Sequence, residues 1–302
     1  MTGASQQAFA VLLALGGALS YAVAAVTQQR CAAGLDSRPG FDATLVLRLA
    51  RTRGWQLSMI AVVAGYALHA SALALGSLVI VEPVIPVGLL MALLLGARAE
   101  GRKLCWSEWT AAIATVAGLA VFLAAAEPSG GTRTAPATSL GMAVTVAVLA
   151  AAACWLITRR VSAPHRAVPL SVAGGLAAGV TDSLTKTVAP LAGVQQFALL
   201  GDARLWMLAL AGLLALTLQQ NAYRAAGLAA SLPAFVVLQP LTGSLLGMMI
   251  YHERVGGGGL RITVEVLAVL AAIWGIARLA SSVIAELGRL AALAAPDRQL
   301  AR

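Results

Sequence analysis

Asp182 and Lys186 lie four residues apart in the run LSVAGGLAAGVTDSLTKTV, residues 170–188, which carries no other charge. On a helix this spacing puts both on one face, a turn apart. A carboxylate beside an ammonium in an apolar run can exchange a proton, coordinate a cation or hold an anionic substrate group. It can equally be a structural ion pair, packed against a neighbouring helix through the small-residue face that Gly175 and Gly179 extend. Glu82 stands directly before Pro83, with Pro86 one turn on, in SLVIVEPVIP. Proline frees backbone carbonyls to line a cavity beside the carboxylate, which suits a cation or an amine. The alternative is a glutamate that reaches the end of its run and meets solvent. His69 can titrate or pack as a hydrogen-bonded side chain. Gln239, beside Pro240 and close to Pro233, is placed to face a cavity. Gln220, between Gln219 and Asn221, can bond a substrate or cap a helix end. Tyr21, Tyr66, Tyr223 and Trp155 offer faces to organic cations or serve as interfacial anchors. Glu253 and Glu265 read as solvated charges.

Such groups matter because of what surrounds them. The 302 residues are 60% hydrophobic and 11% charged, with mean hydropathy +0.85. A globular domain carries about 25% charged residues, so this chain cannot cover a water-exposed surface of its size. Disorder needs the opposite composition. The 30 glycines show no collagen period, and three cysteines make no disulfide framework. Cys31, Cys105 and Cys154 lack metal-ligand spacing and read as free thiols. A polytopic membrane protein remains, with the lipid bilayer as its first partner.

Nine apolar runs have the length of a membrane-spanning helix: 8–27, 55–75, 78–97, 107–126, 139–158, 170–188, 205–222, 228–250 and 262–282. None alternates polar and apolar residues, which disfavours a membrane barrel. No basic segment precedes the first run, so it is a span rather than a signal peptide. With nine spans, Arg133, Arg204, Arg254 and Arg261 fall on one side and Lys186 within a span. The other basic residues, from Arg30 to Arg302, fall on the opposite side. That asymmetry puts the N-terminus outside and the C-terminus in the cytoplasm of a plasma (inner) membrane. It also accounts for the net charge of +9 without invoking nucleic acid. Residues 31–54 read as an interfacial helix. Residues 283–302 read as an amphipathic cytoplasmic tail on the leaflet. Gly256–Gly259 reads as a hinge, not a phosphate loop. No nucleophile–base motif appears, so the chain reads as a non-enzyme without cofactor or resident metal.

An internal repeat is visible. WQLSMIAVVAGYALHASALALG, from Trp55 to Gly76, aligns without a gap with WMLALAGLLALTLQQNAYRAAG, from Trp206 to Gly227. Each then enters a proline-broken span, the first with Pro83 and Pro86, the second with Pro233 and Pro240. The reading is a first repeat over 8–126, a linking span at 139–158 and a second repeat over 170–282. The odd linking span inverts the second copy. Inverted repeats with broken helices in matching places mark secondary transporters, with substrate bound at the repeat interface.

The segments Ala72–Ala125 and Ala222–Val255, the latter ending in Gly247 and Glu253, resemble the two halves of the drug/metabolite transporter superfamily, EamA-like. The patterns Ala-Leu-x-x-Gly with Val-x-Pro and Gln-x-x-Tyr with Pro also resemble the NIPA-like magnesium transporter branch. The resemblance implies an all-α bundle of about nine transmembrane helices in two inverted repeats. It implies alternating-access transport of a small organic solute or metabolite, by proton-coupled efflux. A magnesium pathway using Glu82 and Asp182 is the alternative, and a non-transporting membrane scaffold the second. Lys186 is expected to pair with Asp182 or with an anionic substrate, and Gln239 to orient the solute. The Gly-x-x-x-Gly at Gly243 and Gly247 serves a homodimer or internal packing.

Overall fold

The computed structural model describes residues 3–35, 41–76, 78–126, 128–129, 132, 135–161, 163–192, 198–255 and 259–293. The chain enters with α1 (Gly3–Ala33), followed by the five-residue α2 (Leu45–Leu49) and α3 (Arg53–Leu75). The four-residue α4 (Leu78–Val81) and a 3-10 turn at Glu82–Val84 lead into α5 (Val87–Ala99), and α6 (Trp106–Ala125) follows. After the short β1 (Pro128–Ser129) come α7 (Ala137–Thr158) and α8 (Ala163–Ala192), then a 3-10 turn at Ala198–Gly201. The chain closes with α9 (Ala203–Ala225), the four-residue α10 (Leu228–Ser231), α11 (Pro233–Tyr251), β2 (Arg254–Val255) and α12 (Gly259–Leu293). Among the described residues, nine helical segments are long and apolar enough to cross a membrane, within a few residues of the runs read from sequence. The protein is therefore an all-helical, multi-pass membrane protein in its architecture.

Successive spans run in opposite directions. Gln6 near the start of α1 donates to Leu75 O at the end of α3, at 3.1 Å. On that same N-terminal face, β1 pairs antiparallel with β2. On the opposite face, Asn221 of α9 bonds the segment that precedes α2. Leu12, Ile60, Val63, Leu149 and Leu267 are among many exposed large apolar side chains. Such surface is stable where lipid covers it.

The interior is organised around α8. The most apolar stretch of α8 is 67% buried, against 17–44% for the other spans. It packs chiefly against α9 and α11, while α1 packs chiefly against α3 and α5, and α6 against α12. Glycines set the closest of these approaches. A Cβ at Gly175 would stand 2.7 Å from Leu238 Cβ, and one at Gly179 would stand 2.6 Å from Gln239 O. A Cβ at Gly118 of α6 would stand 2.5 Å from Ala268 O of α12. The face that carries Asp182 thus seats α11 through its small residues, as small-x-x-x-small pairs do.

The chain is interrupted near Pro83, Pro86 and Pro233 but runs helical through Pro240, and the junctions that lead into the two segments are built alike. The chain leaves α3 at Gly76 and α9 at Ala226 with extended backbone (ψ 166° and 169°). A four-residue helix follows each break. Pro83 then sits in the 3-10 turn and Pro86 caps α5, while Pro233 is at the first turn of α11 and Pro240 lies inside it. Proline is tolerated in a first turn because its missing N–H would be unpaired there anyway.

Two readings are corrected. The segment 31–54 does not lie on the leaflet as one helix. Its described part ends α1, then forms α2, whose Leu45 and Leu49 are fully buried. Burial of these leucines against the helix ends outweighs interfacial placement. At the other terminus, α12 continues unbroken to Leu293, so no separate helix starts at Ser281. Nothing between Arg278 and Leu293 stops a helix; the one glycine there, Gly288, only weakens it. Residues 256–258 of the glycine loop and 294–302 of the tail lie outside the described residues.

Candidate functional site

Polar groups from both halves of the chain converge on the half of the bundle nearer the N-terminal face. From α8, Asp182 is exposed, and its Oδ2 accepts a hydrogen bond of 2.9 Å from Gln239 Nε2 of α11. From the 3-10 turn, Glu82 Oε1 lies 3.2 Å from His69 Nε2 of α3, close enough to attract but out of line for a hydrogen bond. Tyr21 of α1 and Tyr66 of α3 meet edge to face at 5.5 Å between ring centres.

Lys186 does not pair with Asp182. Its ammonium pairs with Glu253 and lies 4.4 Å from the centre of the Tyr251 ring. The local chain explains this. Helix α11 ends at Tyr251, and His252 takes the left-handed conformation (φ 55°, ψ 33°). The Glu253 N–H then bonds Gly247 O at 3.1 Å. That turn folds the Glu253 carboxylate back over Gly247, where a Cβ would collide with it. The expectation that Glu253 is solvated is therefore overturned: its side chain is 16% exposed and ion-paired. Glu265 also has a buried carboxylate oxygen, Oε1, with no hydrogen bond among the described residues.

Asp182, Ser183, Lys186, Gly243, Gly247, Tyr251 and Glu253 line an open pocket of about 170 Å³. Gly243 has no atom within 4 Å of the place a Cβ would take. Within this chain, then, Gly243 borders open space, while Gly247 makes room for the Glu253 carboxylate. Tyr251 is fixed from behind, bonding the Thr187 hydroxyl at 2.8 Å and donating to Ser183 O.

Gln220 lies elsewhere. It is fully buried, and its Nε2 donates at 2.7 Å to Gln28 Oε1, which joins α9 to α1 toward the opposite face. Gln220 Oε1 accepts no hydrogen bond among the described residues. Beside it, Gln219 donates to Ser231 O at 3.0 Å. Asn221 takes the backbone N–H of Asp42 at 2.8 Å and returns a bond to Asp42 O at 3.0 Å. The Asp42 carboxylate meets Thr44, Arg48 at 3.0 Å and Arg224 at 3.4 Å. Burial pushes the Asp42 carboxyl up, but the Thr44 and Arg48 hydrogen bonds and the Arg224 charge outweigh it, so it sits below the usual carboxylate range. Trp155 stacks under Arg159 at 4.6 Å, and Tyr223 is buried, so neither faces the cavity.

Sequence reasoning missed Glu253 and Tyr251 as cavity residues. The signal was present in the spacing of Gly247 and Glu253, which only a left-handed turn at His252 converts into contact. Among the described residues, no group of three or more His, Cys, Asp and Glu is placed to hold a metal ion. An uncharacterized protein of Corynebacterium glutamicum is 27% identical to this chain over 250 residues, which cover 81% of the chain and 85% of the relative. No protein-family profile matches the chain, and no solved structure does.

Proposed function

We propose that the protein is a secondary transporter of the plasma (inner) membrane that carries a small organic solute outward in exchange for protons. The observation that carries this reading is the Asp182 carboxylate, which lies within a membrane-spanning helix, opens to a pocket and has no cationic partner among the described residues. Glu82, from the other half of the chain, lies in the 3-10 turn beside His69. Intramembrane carboxylates without a basic partner are costly unless they serve a pathway. Among the described residues Asp182 holds only an amide bond, because Lys186 is engaged elsewhere.

Two inverted repeats account for the architecture. The packing of α1 with α3 and α5 matches that of α8 with α9 and α11. The breaks at Gly76 and Ala226 lead into matching four-residue helices and prolines. These breaks fall on opposite faces, as inversion requires. The Gln28–Gln220 amide bond and the bonds of Asn221 to Asp42 close the face away from the cavity, which suits one state of an alternating-access cycle. On the charge asymmetry of the loops, the cavity faces outward and the amides face the cytoplasm.

The test is proton and solute exchange in proteoliposomes with a trapped pH dye. Solute-driven proton flux is expected from the wild-type protein and is lost in Asp182→Asn and in Glu82→Gln. Undiminished flux in both variants overturns the assigned roles. Magnesium flux, read with an internal magnesium dye and lost in the same variants, would replace organic export with the cation pathway. A phenotype that needs Asp182, without any flux, would favour a scaffold.

A further inference from the structure

The cavity beside Asp182 carries a charge balance that selects its ligand. Of its three charged side chains, two already neutralise each other: Lys186 is paired with Glu253 and lies over the Tyr251 ring. Among the described residues Asp182 receives only the neutral amide of Gln239, and it is exposed. One negative charge is therefore left without a cation. At Gly243 the wall is bare backbone with open space beside it, while Gly247 is covered by the Glu253 carboxylate that Lys186 neutralises. The volume, about 170 Å³, slightly exceeds the ~150 Å³ that accommodates benzene in an engineered cavity. A ligand of roughly six non-hydrogen atoms fits.

We propose that this pocket binds a small organic monocation of the alkylammonium class, its ammonium on Asp182 and its alkyl chain along Gly243. The assignment deepens the transport reading and rests on it for the ligand's role as cargo. A zwitterion fits less well. Its carboxylate would have to take Lys186 from Glu253, leaving a largely buried carboxylate without its cation, which is strongly unfavourable. An anion meets two carboxylates. A divalent cation brings two charges to the single uncommitted carboxylate of the wall, since Glu82 does not line this cavity.

The experiment is isothermal titration of the full-length protein in detergent with four probes: n-butylammonium, butyrate, 2-aminobutyrate and magnesium. The first three are alike in size and differ in charge. Butylammonium binds, and the other three do not displace it. Asp182→Asn weakens it by about 10- to 100-fold, the range for one lost charged hydrogen bond. Gly243→Val fills open space, so the protein keeps its thermal midpoint but loses the site. Equal affinity in the wild type and Asp182→Asn overturns the proposal. So does binding of 2-aminobutyrate or magnesium in place of butylammonium, or full affinity in a folded Gly243→Val protein, or no binding at all. Butylammonium that binds but is not carried across proteoliposomes leaves the site standing and sinks transport. Flux of another solute with no butylammonium bound sinks the site alone.

Discussion

The ammonium of Lys186 in α8 pairs with the carboxylate of Glu253, 67 residues further along the chain, and leaves Asp182 on its own helix to the amide of Gln239. A double-mutant cycle distinguishes these partners. Lys186→Ala should lower the thermal midpoint less in a Glu253→Gln background than alone, with a coupling of about 1 kcal/mol for a partly exposed pair. In an Asp182→Asn background its effect should be additive. Coupling to Asp182 and additivity with Glu253 would reverse the assignment.

The glycine approaches predict a steep size dependence. Gly179→Val sets new atoms against Thr242 and Gln239, and Gly118→Leu sets them against Ala268 and Ala272. Each should destabilise the protein by about 1–3 kcal/mol or more, as overpacking does. Gly243→Ala, with open space around it, should shift the midpoint hardly at all. Thermal unfolding in detergent ranks the three. Equal losses would mean that these helices do not approach as closely as their glycines allow.

Asp42 ties the segment before α2 to α9 from outside the membrane spans, and its lowered carboxyl pKa sets the sign of a pH effect. The folded protein holds the proton less tightly than the unfolded chain. The pair therefore stabilises fully above the unfolded value of about 4 and ceases to do so as pH falls through the folded value. Asp42→Asn should lower stability at pH 7 by about 1–3 kcal/mol, the penalty for uncompensated buried groups around it. The gap between variant and wild type should close below about pH 4. A gap that stays constant from pH 7 to pH 3 would show that charge plays no part.

Cys105 caps the start of α6, is exposed and lies on the face opposite the N-terminus. With the orientation proposed, a membrane-permeant maleimide should label it in intact cells, and an impermeant one only after lysis. Labelling of intact cells by the impermeant reagent would invert the topology. A Cys31→Ser, Cys154→Ser background makes Cys105 the single reporter.

The nine spans and their proline breaks were legible because a bilayer demands about 20 apolar residues per helix, and that demand is written locally. The glycine seam under Gly175 and Gly179 was legible for a similar reason, since small residues at helical spacing admit a neighbour. The partner of Lys186 was not. The four-residue rule names the nearest candidate on the same helix, but it cannot see that His252 turns Glu253 back over Gly247. The partner of Gln220 was not legible for the same reason. Its type signalled a polar contact, and only the packing of α1 on α9 made Gln28 the contact, away from the cavity.

The contact between Gln28 and Gln220 has a consequence for hydration. A seam closed by leucines parts only by wetting apolar surface, which is opposed over its whole area. A seam closed by amides parts by exchanging one hydrogen bond for another, at a net of about 0.5–1.5 kcal/mol each. Gln220 Oε1, with no donor among the described residues, gives the first incoming water molecule an acceptor.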